Sequence, residues 1–120
     1  MPERDLKKRT KDFAHRCVKL ALSLPNNCLA KHIQIQLIRC GTSTAANYRA
    51  ACIAQSRAAF VSKISIAIEE ADESCYWMEF IVDEKICKKA LLCNLINETM
   101  ELTAILIASR KTAKKKKNSE

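Results

Sequence analysis

The sequence predicts an all-α domain: an up-down antiparallel four-helix bundle with a kinked second helix. Three observations carry that prediction. One glycine and two prolines in 120 residues are too few for the turns of a β-rich domain or for a glycine-rich phosphate loop. Aromatic residues are scarce, at 5%, where strands would be enriched in them. Apolar residues make up 48% of the chain and recur at three- and four-residue spacing, the period of a helix with one buried face. That apolar share can bury a core, which excludes a disordered chain. A domain of this length typically buries roughly two-thirds of its unfolded surface.

The first helix is expected from Asp5 to Leu24. Leu6, Phe13, Cys17, Leu20 and Leu24 line one side of it, Asp5 suits its N-cap, and Pro25-Asn26-Asn27 ends it. The second begins near Cys28 and reaches about Gln55, with Leu29, Ile33, Leu37 and Cys40 inward. Gly41-Thr42-Ser43 should kink or briefly break it. Glycine costs ~1 kcal/mol in a helix relative to alanine, and the hydroxyls compete for backbone groups. The helix then resumes through the alanine-rich stretch Ala45 to Cys52.

Ser56 is placed to cap a third helix running to Asp83, with Phe60, Ile64, Ala67, Ala71, Cys75, Met78 and Val82 on its inner face. The fourth is expected from Lys88 to Lys111 around Leu92, Leu95, Thr99, Leu102 and Leu106. Leu91, Ile96 and Ile105 broaden its apolar surface, enough to serve an oligomer interface as well as a core. Residues 1–111 therefore form the bundle. Residues 112–120 read as a basic, disordered tail, because consecutive lysines repel and have nothing to bury. Short connections favour antiparallel neighbours.

Seven cysteines occur with no CxxC pair, which argues for reduced thiols packed as small core residues in a cytoplasmic protein and against a zinc site. The amino terminus has no secretory apolar segment, and no run approaches the ~18 apolar residues of a membrane span. A carboxylate-bridged metal pair needs Glu-x-x-His on two helices, and neither histidine supplies it. No motif joins a base to a nucleophile. The chain reads as no enzyme, with no metal and no cofactor.

Charge is the remaining signal. The net charge is +8. Residues 1–20 and 21–60 each carry +4, residues 61–109 carry −5, and residues 110–120 carry +5. Such a field suits a polyanion or a complementary protein surface. With few aromatics for stacking, nucleic acid would be held through its phosphates. The candidates are Lys7, Lys8, Arg9, Lys11, Arg39, Arg110, Lys111, Lys114, Lys115, Lys116 and Lys117. Asn47, Arg49, Glu69, Asp72 and Glu73 are expected to form a structural polar network that sets helix register.

Several segments resemble one family, the 23S rRNA intervening sequence proteins. Asp5-Leu6-Lys7-Lys8-Arg9-Thr10-Lys11-Asp12-Phe13-Ala14 is similar to its opening. Gln36 through Arg49, containing Arg39-Cys40-Gly41-Thr42-Ser43 and Ala46-Asn47-Tyr48-Arg49, resembles its central signature. Glu69 through Glu79 resembles its third-helix signature, and Glu101 to Ile105 with Ser109 to Ala113 its closing helix. Two departures stand out: Ala50 where relatives often carry an acid, and Ile53 and Gln55 where they carry bases. The resemblance implies a four-helix bundle, a bacterial protein and a homo-oligomer, as relatives form pentameric rings. It implies contact with rRNA or other nucleic acid and no enzymatic activity. The alternative is an interaction scaffold, such as the accessory subunit of a retroelement reverse transcriptase.

Overall fold

The structure is a computed structural model that describes the backbone of residues 3–119 and the side chains of residues 5–116. It holds four helices: α1 Glu3–Leu22, α2 Cys28–Cys52, α3 Arg57–Asp83 and α4 Lys89–Ser119. They form a rod of 53 × 22 × 21 Å. Among the described residues there is no strand.

Local chemistry sets the ends. Asn27 is extended and its side chain accepts from Ala30 N at 2.9 Å, which starts α2. Ser56 does the same for α3, accepting from Ala59 N at 3.0 Å. Each relieves one of the orphan N–H groups of a first turn. After α3, Lys85 takes a left-handed φ of 56°. Lys85 N then donates to Val82 O and Ile86 N to Ile81 O, both at 3.0 Å, a Schellman ending in which lysine occupies the position glycine usually fills.

Three boundaries differ from expectation. Glu3 and Arg4 are already helical, so Asp5 lies inside α1 and is not its cap. Of the kink or brief break expected at Gly41, the break does not occur: α2 is continuous there. Thr42 and Thr44 return their hydroxyls to the carbonyls of Ile38 and Cys40 within the helix, at 2.7 and 2.8 Å. Gly41 is instead a point of close approach: a Cβ on it would lie 2.6 Å from Cys17 Cβ. Finally, α4 continues through 112–119, the stretch expected to be a disordered tail. Lysine and alanine are good helix formers, and cations at a helix C-terminus complement its dipole. Glu120 lies outside the described residues.

The core follows the predicted stripes, with shifts. Leu6, Phe13 and Cys17 of α1, Ile33, Leu37 and Cys40 of α2, Ile64 and Met78 of α3, and Leu92, Leu102 and Leu106 of α4 are almost wholly buried. Leu29 is exposed, and Ala30 takes the inward position instead. Leu91 is also exposed. By length and composition Lys89–Lys116 could cross a membrane, against the reading that no run comes close. Here its Leu92, Leu95, Leu102 and Leu106 face the bundle. The buried hydroxyls of Thr10, Thr44 and Thr99 bond to carbonyls three or four residues back, so each polar group enters the core satisfied.

Each helix packs chiefly on its neighbour in sequence, while α1 and α4 share a thin seam. Neighbours meet in opposite order. His32 touches Trp77 and Cys40 touches Ser74 across α2 and α3. Ser65 meets Arg110, and Met78 meets Thr99, across α3 and α4. The seam is closed by Arg9, which donates to both Glu98 oxygens at 2.8 and 2.6 Å and lies 3.6 Å from Glu101.

Candidate functional site

The opposite order of neighbouring helices has an electrostatic result. It gathers the start of α1, the end of α2, the start of α3 and the end of α4 at one end of the rod. Residues 5–15, 42–64 and 105–116 together hold twelve bases and two acids. The three basic stretches, far apart in sequence, become one basic end.

Two depressions lie there. The first is a groove of about 810 Å³ between α1 and α2. Ala14, Val18, Ala45 and Ala46 form its floor; Lys7, Lys8, Lys11, His15 and Arg49 form its rim. On α1 the spacing of Lys7, Lys11, Ala14 and Val18 puts all four on one face. The second is a cleft of about 620 Å³ where the α2–α3 turn meets α4, lined by Arg57, Phe60, Ser109, Thr112 and Lys116 among others. Gln55 and Ser56 supply polar groups to its wall. No acidic residue lines either depression.

The candidate bases divide into two groups. Lys7, Lys8 and Lys11 line the groove. Lys8 also pairs with Asp12 at 2.7 Å on the surface. Lys111, Lys114, Lys115 and Lys116 are exposed along the last turns of α4, and the side chain of Lys117 lies outside the described residues. Arg110 donates to Ser65 Oγ at 3.2 Å. Arg9 and Arg39 are committed to carboxylates. Hydrogen bonding to Glu98 raises the already high pKa of Arg9, against its burial, so it works as a strut of the α1–α4 seam.

Arg39 anchors a polar network that differs from the expected one. Its guanidinium donates to Glu70 at 2.9 Å and to Glu73. Trp77 Nε1 donates to the same Glu73 at 3.1 Å. Burial alone would push the Glu73 carboxyl up, but the bonds from Arg39 and Trp77 outweigh it and hold it below the usual range. Of the five expected members only Glu73 takes part. Asn47 donates within its own helix, to Ser43 O and Oγ, both at 2.9 Å. Glu69 and Asp72 are exposed. Arg49 points to the groove, because ten residues of helix place it about 80° around the axis from Arg39.

The aromatic side chains sit elsewhere. Trp77 stacks edge-on with His32 at 5.4 Å and Tyr76 at 5.0 Å, and contacts Phe80 at 5.9 Å. This cluster lies on the α2–α3 face beside Glu70 and Glu73. Phe13 and Tyr48 are buried. Among the described residues no group of three or more His, Cys, Asp or Glu could hold a metal ion. The groove-lining roles of Arg49, His15 and Thr42, and the cleft-lining role of Arg57, are missed by sequence reasoning. The periodicity of α1 and α2 could have signalled the groove, as Ala14, Val18, Ala45 and Ala46 leave room beside the long bases.

A family model described as 23S rRNA-intervening sequence protein matches residues 3–108. No curated protein matches the chain. Among solved structures, a crystal structure of a protein of unknown function from the S23 ribosomal protein family of Bacteroides thetaiotaomicron is similar. It is 33% identical, covers 92% of this chain and 99% of its own, and superposes with a TM-score of 0.84.

Proposed function

This chain belongs to the 23S rRNA-intervening sequence protein family, and from that premise we propose that it is a non-enzymatic protein that binds RNA or another nucleic acid through the phosphates. The single observation that supports the reading is the convergence of bases on one end of the rod, twelve against two acids, around two depressions without an acidic lining. Of these bases, Arg9 is paired with Glu98 and Lys8 with Asp12, while Glu70 and Glu73 are spent on Arg39, outside the counted stretches. The reading includes a cytoplasmic protein and a homo-oligomer, a pentamer as in the family resemblance. Exposed Leu91, Met100 and Ile107 on α4 give such an assembly an apolar surface. Several basic ends in one particle would add their contacts by multivalency.

A second reading, an interaction scaffold, draws on one observation. Glu69, Asp72, Glu79 and Asp83 are exposed at three- to four-residue spacing on α3, with the exposed Tyr76 among them, an acidic row suited to a basic protein surface.

Filter binding of a structured RNA over a salt series decides between them. Affinity should fall with a log–log slope of roughly −0.7 to −0.9 per neutralised phosphate. Replacing Lys111, Lys114, Lys115 and Lys116 with alanine should flatten the slope while leaving the sedimentation profile unchanged. No binding at low salt by the intact assembly would reject the nucleic-acid reading and favour the scaffold.

A further inference from the structure

We infer that the basic end is built for a double-helical nucleic acid held by its two backbones, and not for a single strand read by its bases. The inference rests on the nucleic-acid reading above and narrows it to a substrate class.

The first support is the separation of cations from aromatics. Readers of single strands stack bases on aromatic rings set among basic residues. Here the rings that reach the surface, Tyr76, Trp77 and Phe80, are engaged with one another and with His32. They lie on the α2–α3 face, where Glu73 accepts from Trp77. At the basic end only Phe60 of the second cleft is aromatic and not fully buried.

The second support is the chemistry of the groove floor. Ala14, Val18, Ala45 and Ala46 carry no donor or acceptor that could read a base edge, and the Thr42 hydroxyl already donates to Ile38 O at 2.7 Å. What the groove offers is a rim of charges above a shallow apolar bed. The cleft adds neutral groups, Gln55, Ser109 and Thr112, which suit phosphate and sugar oxygens.

The third is the layout. One track of bases, Lys7, Lys8, Lys11 and Arg49, runs along the α1–α2 groove. The other, Arg57 and Lys116, borders the cleft against α4, next to exposed Lys114 and Lys115. Both lie within a rod cross-section of 22 × 21 Å. That width can straddle the wide, shallow minor groove of an A-form duplex, with one track on each strand. A single strand would occupy one track and leave the other unused.

The test compares full-length protein binding to an RNA duplex on the order of 20 base pairs with binding to an unstructured single strand of equal length. A second duplex of unrelated sequence is included. Duplex binding should be about tenfold tighter or more, and the two duplexes should agree within about threefold. Two variants separate a two-track site from diffuse positive charge: Lys11→Ala with Arg49→Ala, and Lys114→Ala with Lys116→Ala. Either should bring duplex affinity down toward that of the single strand. Equal or tighter single-strand binding, strong sequence preference, or duplex affinity unchanged in either double variant would each overturn the inference. Absence of binding to all three RNAs at low salt would reject the nucleic-acid reading itself, and this inference with it.

Discussion

Replacing Gly41 with alanine tests whether α1 and α2 are in direct backbone-level contact. On helix propensity alone the change should stabilise α2 by about 1 kcal/mol. The structure reverses the sign. The new Cβ would lie 2.6 Å from Cys17 Cβ and 2.9 Å from Cys17 Sγ. No rotamer of Cys17 moves its Cβ, so α1 itself must shift, and Cys17 is wholly buried. Overpacking costs typically 1–3 kcal/mol, and a clash that only a backbone shift relieves belongs to the upper part of that range, about 2–3 kcal/mol. The net expectation for Gly41→Ala is a loss of about 1–2 kcal/mol, or a urea midpoint lower by about 0.5–1 M. Equilibrium urea unfolding followed by helix circular dichroism, at matched protein concentration, reads it out. Cys17→Ala removes only the farther atom, so most of the penalty should persist in Gly41→Ala with Cys17→Ala. Cys17→Gly should relieve it. A Gly41→Ala protein as stable as the parent would refute the close approach.

Other perturbations probe the remaining contacts. Arg9→Met should cost about 1–3 kcal/mol, since it strands the Glu98 carboxylate, whose side chain is 17% exposed, without its partner. Adding Glu98→Met should recover much of that loss in the same unfolding assay. The Glu73 carboxyl is held below its ordinary value of 4.5. Its contribution to stability is therefore present above that pH and is lost as pH falls through the lowered value. Glu73→Gln should flatten the acid limb of a stability–pH profile, by under about 1 kcal/mol because solvent screens a pair whose Arg39 side chain is 46% exposed. Lys85→Gly should stabilise by about 1 kcal/mol, measured by thermal melting, since it relieves a side chain from the left-handed region. In alkylation followed by mass spectrometry, the exposed Cys28 and Cys93 should react in the native protein. Cys17, whose thiol burial pushes up to about 12, should stay protected until the chain unfolds.

Much of the fold was legible in the periodicity. Leu6, Phe13 and Cys17, Ile33, Leu37 and Cys40, or Leu92, Leu95, Thr99, Leu102 and Leu106 can be read inward from spacing alone, and all are buried. Errors arose where a local rule met a tertiary one. Leu29 looked like core because it is apolar, yet Ala30 is in phase with Ile33 and Leu37, and phase decided. Gly41 looked like a helix breaker, but its missing side chain serves the approach of Cys17. The bases of the candidate site were visible as residues. Their convergence was not, because it depends on which helix ends lie together. Choosing Arg49 over Arg39 for the polar network failed for a related reason: both face acids in the abstract, and only the rotation of α2 about its axis says which one meets α3.

The thin seam between α1 and α4 bears on how the chain reaches its native state. Every large interface joins helices that follow one another, so nearly all stabilising contacts form by closing loops of a few residues. Such low contact order places folding roughly in the microsecond-to-millisecond range. Each helical hairpin can nucleate without waiting for the rest. The α1–α4 seam, with its Arg9–Glu98 pair 89 positions apart, requires the two outer helices to find each other. That clasp belongs to the last step of assembly, and its removal should hasten unfolding far more than it slows folding.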